Sequence, residues 1–261
     1  MRVAKNRLWI VVVFLFVAGL LTSTSDAGLV SHWKFEGNAN DSADGYHGTV
    51  YGAQYVPGVF GQGLSFDGVN DYVGGSASPF DFSDTTFSVC AWFKTTMSAW
   101  GFLVSEGGWV DGWSLGINAG TIQVQLKENI DGRNAYNAFS VNTYNDNKWH
   151  HVAAIITTDT VSSSENDADI YVDGAVVSIT ETKSYPYDAS NDTWKMGKRT
   201  SLSSPAYFVG FLDDVRIYNH ALTQQEIAGI IPEPSTVMLL GLGAILARKE
   251  KQRCKVEPMM K

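Results

Sequence analysis

Trp100, Trp109 and Trp113 surround the Gly107-Gly108 pair and the Asp111-Gly112 step. An indole face can stack on a sugar ring while nearby carboxylates and amides take its hydroxyls, so loop tryptophans beside Asp and Asn have the chemistry of a glycan site. Trp113 begins an apolar strand pattern and reads as packing, which leaves Trp100, Trp109 and Asp111 as the candidate ligand-binding residues. The competing account has both loop tryptophans folded back over the edge of the protein.

Chemistry on a bound sugar would need paired acids. Carboxylates two residues apart on a strand share a face, which suits an acid and a nucleophile working together. The nearest cluster, Glu165-Asn166-Asp167-Ala168-Asp169, follows three serines and reads as a solvated loop. The Gly112-Trp113-Ser114-Leu115-Gly116 run has the Gly-x-Ser-x-Gly spacing, but it begins an apolar strand pattern and is not the strand-to-helix elbow that presents a serine nucleophile. His150 and His151 are adjacent, so a regular strand points them to opposite faces and they cannot share one zinc ion. His32, His47 and His220 are isolated. The expectation is a protein that binds and does not catalyse; a hydrolase or lyase assembled from distant carboxylates is the remaining enzymatic alternative.

The elements that must position these residues are strands. Phe87, Val89, Ala91 and Phe93 alternate with Ser88, Cys90, Trp92 and Lys94, a period of two. Similar runs cover 29–35, 121–126, 150–156, 168–172 and 208–218, and turn pairs such as Asp67-Gly68 and Asp173-Gly174 punctuate them. Many short strands without helical periodicity predict an antiparallel sandwich over residues 28–230. One helix is expected near its end, where Thr223 and Glu226 have capping-box spacing ahead of Ile227 and Ile230.

Both ends read as addresses. Arg2, Lys5 and Arg7 precede an apolar stretch over 8–21, and Ser25-Asp26-Ala27 offers small residues for cleavage, so residues 1–27 are expected to be a signal peptide removed by a signal peptidase. At the other end Pro232, Glu233 and Pro234 form a box followed by an apolar segment over 235–247 and the basic run Arg248-Lys249-Glu250-Lys251. The apolar part is about a dozen residues against the roughly 20 of a full span, and the basic cluster after it follows the positive-inside rule. Residues 231–261 resemble a PEP-CTERM sorting tail, which implies handling by an exosortase and a protein exported to the envelope or exterior. The tail would be its sole contact with the membrane, as a transient or retained anchor.

The two ends hold nine of the chain's 19 basic groups and four of its 27 acidic ones, so residues 28–231 keep 10 basic against 23 acidic, a net of −13. Such a body has no electrostatic footprint for nucleic acid or anionic lipid. Cys90 and Cys254 cannot build a disulfide framework, and Cys90 reads as a small buried apolar residue.

Six motifs in order carry a second resemblance. Leu29-Val30-Ser31-His32-Trp33-Lys34-Phe35, Gly63-Leu64-Ser65-Phe66-Asp67-Gly68 and the strand over 87–93 come first. Lys148-Trp149-His150-His151-Val152, Ile170-Tyr171-Val172-Asp173-Gly174 and Gly210-Phe211-Leu212-Asp213-Asp214-Val215-Arg216-Ile217-Tyr218 follow. Together they resemble LamG-like jelly-roll domains, which implies the concanavalin A-like sandwich of two curved sheets. Glucanases on that scaffold carry a pattern close to Glu-x-Asp-x-x-Glu, absent here. The scaffold hosts lectins, adhesion modules and hydrolases alike, so the expected partner is an extracellular glycan or a surface protein, and a structural matrix or biofilm component without a small ligand is the alternative. The resemblance also implies a structural calcium ion joining the opening segment to the last strand, with Glu36, Asn38 and Asp213 at the matching positions. Carboxylates at the surface without metal are the alternative.

Overall fold

The computed structural model describes residues 27–75, 80–107, 111–128, 133–188, 193–199 and 206–232. Strands are numbered along the chain. One sheet contains β1 (Leu29–Trp33), β3 (Gln54–Pro57), β4 (Gln62–Asp67), β6 (Thr86–Lys94), β11 (His150–Thr157), β12 (Asp167–Val172), β13 (Ala175–Val176) and β16 (Val209–Tyr218). The other contains β2 (Thr49–Tyr51), β5 (Tyr72–Gly74), β7 (Gly101–Glu106), β8 (Trp113–Asn118), β9 (Thr121–Lys127), β10 (Asn134–Thr143), β14 (Ile179–Lys183) and β15 (Trp194–Met196). All pairings are antiparallel: the first sheet runs β13-β12-β11-β6-β16-β4-β3 with β1 also on β16, and the second runs β14-β10-β9-β8-β7-β15-β5-β2. This is the expected all-β jelly-roll sandwich.

Alternation builds the core between the sheets. Phe87, Val89, Ala91 and Phe93 of β6 face Trp113, Leu115 and Ile117 of β8 and Ile122, Val124 and Leu126 of β9 in one buried cluster. Trp33 and Trp194 meet there with ring centres 4.6 Å apart, and Phe82 stacks on Phe87 at 4.2 Å. The expected runs are strands, with two adjustments. The first strand stops at Trp33, because Phe35 turns into the left-handed region at φ 54°. The supposed solvated loop at 165–169 already contains strand: β12 starts at Asp167, and Asp167 and Asp169 share its exposed face while Ala168 is buried. That pair has the spacing of two acids on one face, but it stands open to solvent.

The opposite face of β6 is covered as well. Helix α1 (Gln224–Ile230) lays Ile227 and Ile230 on Cys90, Ala153 and Tyr218, which closes the outer side of the first sheet. Each buried isoleucine contributes about 1.5–3 kcal/mol. The capping box is formed: Thr223 Oγ1 accepts from Glu226 N at 3.3 Å, and Glu226 Oε2 accepts from Thr223 N at 2.8 Å. Cys90 is buried as expected, and burial pushes its thiol up to about 12. Among the described residues no helix is long and apolar enough to cross a membrane. The expected signal peptide up to residue 26, and the tail from Glu233 and Pro234 through the apolar segment, lie outside the described residues.

Candidate functional site

The nominated loop residues are not brought together. Trp100 directly precedes β7 and Asp111 lies two residues before β8, while the hairpin pairs Gly101 with Ile117 at one end and Glu106 with Trp113 at the other. The two therefore sit at opposite ends of the hairpin, about 17 Å apart at the rise of a strand. Trp100 is half-buried, its ring centre 5.4 Å from that of Phe102, and its Nε1 is buried without a hydrogen-bond partner. The carbonyl of Asp111 accepts from Arg199 Nη2 at 2.9 Å. Trp109 lies outside the described residues. Trp113 is fully buried in the core, as its strand pattern implies.

A cleft opens instead at the other edge of the second sheet, on its outer face. Inward-pointing Val73, Trp194 and Met196 join the core, so Tyr72, Gly74 and Lys195 must point outward. Register sets Thr49 beside Gly74 and Gly74 beside Lys195. The missing side chain at Gly74 leaves a hollow between its two neighbours. Tyr51 and Tyr72 are paired across the same strands and stack with ring centres 4.4 Å apart and planes 13° from parallel. Together with His47 and Thr193 these residues line a space of about 340 Å³. Tyr51 is 46% exposed, so one tyrosine of the stack reaches solvent.

Each wall is held from behind. His47 sits at the end of a loop organised by buried Asp41, whose carboxylate accepts from His32 N, Ala43 N and Tyr46 N at 2.7–3.0 Å. Burial alone would raise the Asp41 pKa, but these amides hold it below the ordinary carboxylate value. Asp41 N donates to His47 Nδ1 at 3.2 Å, which places the ring proton on Nε2. On the other wall Lys198 Nζ lies 4.7 Å from the centre of the Tyr72 ring and 5.1 Å from that of Tyr207, within cation–π range. Lys198 is fixed through its carbonyl, which accepts from Ser105 Oγ at 2.9 Å, and through its neighbour Arg199.

Arg199 is part of a buried polar row that crosses the outer face of the second sheet. Register aligns Lys195, Ser105, Ser114, Gln125 and Asn137 on successive strands. Arg199 Nη1 donates to Gln125 Oε1 at 2.7 Å and to Ser114 Oγ at 3.3 Å, while Asn137 Oδ1 accepts from Gln123 and Gln125 at 3.1 and 3.0 Å. Burial lowers the Arg199 pKa to about 10, still charged at neutral pH. Sequence reading missed this cleft. Tyr72 and Gly74 can be seen to share a face, but β2, β5 and β15 are three residues each and the pairing of β5 with β15 spans more than a hundred positions.

The residues nominated for calcium surround one turn. Asp213 Oδ2 accepts from Val59 N and Phe60 N at 2.8 and 2.9 Å, and the Glu36 carboxylate accepts from Gln62 N at 3.3 Å. Glycine is required where this turn meets the acids: a Cβ on Gly61 (φ 54°) would stand 2.2 Å from Glu36 Oε1, and one on Gly58 would stand 2.5 Å from Asp213 Oδ2. Asn38 is exposed, accepting from Asn40 N and donating to the Glu36 carbonyl. Asp213 is fully buried, not a surface carboxylate, and its Oδ1 has no hydrogen-bond partner. Burial raises its pKa to about 7. That one oxygen suits a hard cation; among the described residues no three His, Cys, Asp or Glu side chains converge to complete a set.

Asp214 points away from Asp213 across a bulge in β16, with φ 49°. It pairs with Arg216 Nη2 at 3.1 Å and with His32 Nε2 at 2.6 Å. Burial alone would raise its pKa; the His32 hydrogen bond and the Arg216 charge hold it down. The two adjacent histidines diverge as alternation requires. His150 lies between Asp146 and Asp173 near the surface, while His151 is fully buried beside Trp92 with both ring nitrogens unpartnered. Trp33 is core, Trp92 packs against Phe60 and His151, and Trp149 is half-buried against Phe211.

Comparison with known proteins agrees with this architecture. Domain 4 of AbnA, a GH43 extracellular arabinanase from Geobacillus stearothermophilus solved in complex with arabinotriose, superposes with a TM-score of 0.59 at 16% identity, covering 78% of this chain and 98% of that one. The binding domain of Paraclostridial Mosquitocidal Protein 1 gives 0.59 at 16% identity, and the binding domain of Botulinum neurotoxin DC in complex with rat synaptotagmin II gives 0.56 at 17%. Each covers 78% of this chain, which spans about half of those two proteins, 52% and 51%. At such identities the likeness is one of fold. No curated protein matches the chain. The PEP-CTERM protein-sorting motif matches residues 231–251, which marks the protein for export and sorting to the envelope. Residues 67–228 match the model of the Concanavalin A-like lectin/glucanases superfamily, and the chain belongs to that family.

Proposed function

We propose that this protein is an exported, non-catalytic recognition module of the cell surface or extracellular matrix, and that it binds glycan in the Tyr51–Tyr72 cleft. The observation that carries the reading is the cleft itself: a stacked tyrosine pair, one ring exposed, beside His47, Thr49, Thr193 and Lys195 on a rigid sheet. Aromatic faces bind the apolar side of a sugar and the polar groups take its hydroxyls. Arabinotriose in the AbnA domain supports a glycan as partner for this fold, and the binding domains of the two toxins support recognition over catalysis. Trp100, half-buried, remains a second aromatic for a longer ligand.

The test is binding of the purified protein to a panel of polysaccharides, with Tyr72→Ala as the cleft variant and Trp100→Ala as the comparison. Saturable binding lost in Tyr72→Ala supports the proposal. Absence of binding across the panel overturns it in favour of a structural matrix component. Depolymerisation of any member would restore the hydrolase reading.

Calcium belongs to the same proposal as a structural ion at Asp213, supported by the unpartnered buried Oδ1 and by the Glu36–Asn38 turn on the other side of the 58–62 loop. Backbone carbonyls and water would supply the remaining oxygens.

A further inference from the structure

The cleft carries a charge that runs against the rest of the molecule. Residues 28–231 have a net charge of −13, yet Lys195 and Lys198 fall three residues apart on the segment that forms one wall. Lys195, whose Nζ donates to Thr193 Oγ1 at 2.5 Å, lines the hollow opposite Thr49, and Lys198 stands over the Tyr72 ring. No acidic side chain is among the described residues that line the space. His47 adds a donor at Nε2, because its Nδ1 is occupied by the Asp41 amide. A neutral sugar needs both donors and acceptors, and needs no ammonium group. A lysine lining the hollow and a second over the Tyr72 ring, in a body otherwise acidic, suit a sugar ring that carries its own negative charge.

Resting on the glycan reading above, we propose that the cleft selects an acidic sugar. The ring of a uronic-acid residue lies against Tyr51 and Tyr72, and its carboxylate is taken by Lys195 with His47 Nε2 as a second donor. The Gly74 hollow admits the carboxylate between Thr49 and Lys195, and Lys198 adds to the positive field while it fixes Tyr72. Acidic polysaccharide is then attracted locally although the protein as a whole repels it. Binding should weaken as salt rises, since the recognising charges are partly exposed.

Isothermal titration of the purified full-length protein against polygalacturonate, its carboxyl-reduced neutral counterpart and a sulfated galactan decides the matter. The carboxyl-reduced polymer is expected to bind at least about tenfold more weakly than polygalacturonate, the scale of one charge-assisted hydrogen bond. Lys195→Gln should bring the acidic polymer down to the affinity of the neutral one and leave the neutral one unchanged. Tyr51→Ala, at a largely exposed position, should weaken both. Equal affinity for the acidic and reduced polymers overturns the acidic-sugar assignment and leaves glycan binding standing. Preference for the sulfated polymer overturns the carboxylate as the recognised group. Failure of every polymer to bind overturns the cleft as a glycan site altogether.

Discussion

Gly74 lies in register between Thr49 and Lys195, and the side chain it lacks leaves the hollow in the floor of the cleft. A Cβ there would meet nothing nearer than the Tyr72 ring edge at 3.4 Å, and its backbone is not left-handed. Gly74→Val should therefore fill the hollow without unfolding the sheet. Stability is expected to change by no more than about 0.5 kcal/mol, as for other surface sites, while glycan affinity is lost. Denaturant melts and titration on the same sample check both halves.

His151 predicts an acid-side loss of stability. Burial lowers its pKa to about 4 in the fold, against about 6.5 when unfolded. Below pH 6.5 the unfolded chain takes up a proton that the native one refuses, so this residue's contribution falls as pH drops from 6.5 towards 4 and is constant beneath that. His151→Phe should flatten that part of the profile and raise stability at pH 5 more than at pH 8. A Tm series in pH for both proteins measures it; parallel curves would contradict the burial.

Asp213 makes the calcium proposal testable without any ligand. Calcium is expected to raise the Tm of the native protein and chelator to remove the rise, while Asp213→Asn responds to neither. The isosteric amide can still accept from Val59 N and Phe60 N through its oxygen, so the variant should fold. A Tm indifferent to calcium in the native protein would count against the ion.

The helix offers a calibrated test of the capping box. Thr223→Ala removes the acceptor for Glu226 N and is expected to cost about 1 kcal/mol. Ile227→Ala opens a cavity between α1 and Cys90 and should cost about 2–5 kcal/mol. Equal losses in the two variants would mean that the helix is held by its cap and not by its packing.

What could be read from the sequence was what alternation and local chemistry dictate. Phe87 through Phe93 announced β6, Thr223 with Glu226 announced the helix start, and the divergence of His150 from His151 followed from period two. The cleft was not legible, because Tyr51, Tyr72 and Lys195 come from strands too short for periodicity and meet only through long-range register. Asp167 and Asp169 were misjudged for a related reason: two exposed acids on an edge face look like a loop until the pairing of β12 with β11 is known. Trp100 and Asp111, close in sequence, were separated by the length of the hairpin between them.

Helix α1 rests on the outer face of the first sheet, and the cleft opens on the outer face of the second. The chain leaves toward the sorting tail just after Ile231, on the side of the sandwich turned away from Tyr51 and Lys195. Tension applied through that tail enters the fold at α1 and then at β16, a strand anchored by β6 on one side and by β4 and β1 on the other. The point where the chain leaves the fold and the cleft on the short strands β2, β5 and β15 thus belong to opposite layers, so a pull at Ile231 would act first on a layer that carries none of the cleft residues.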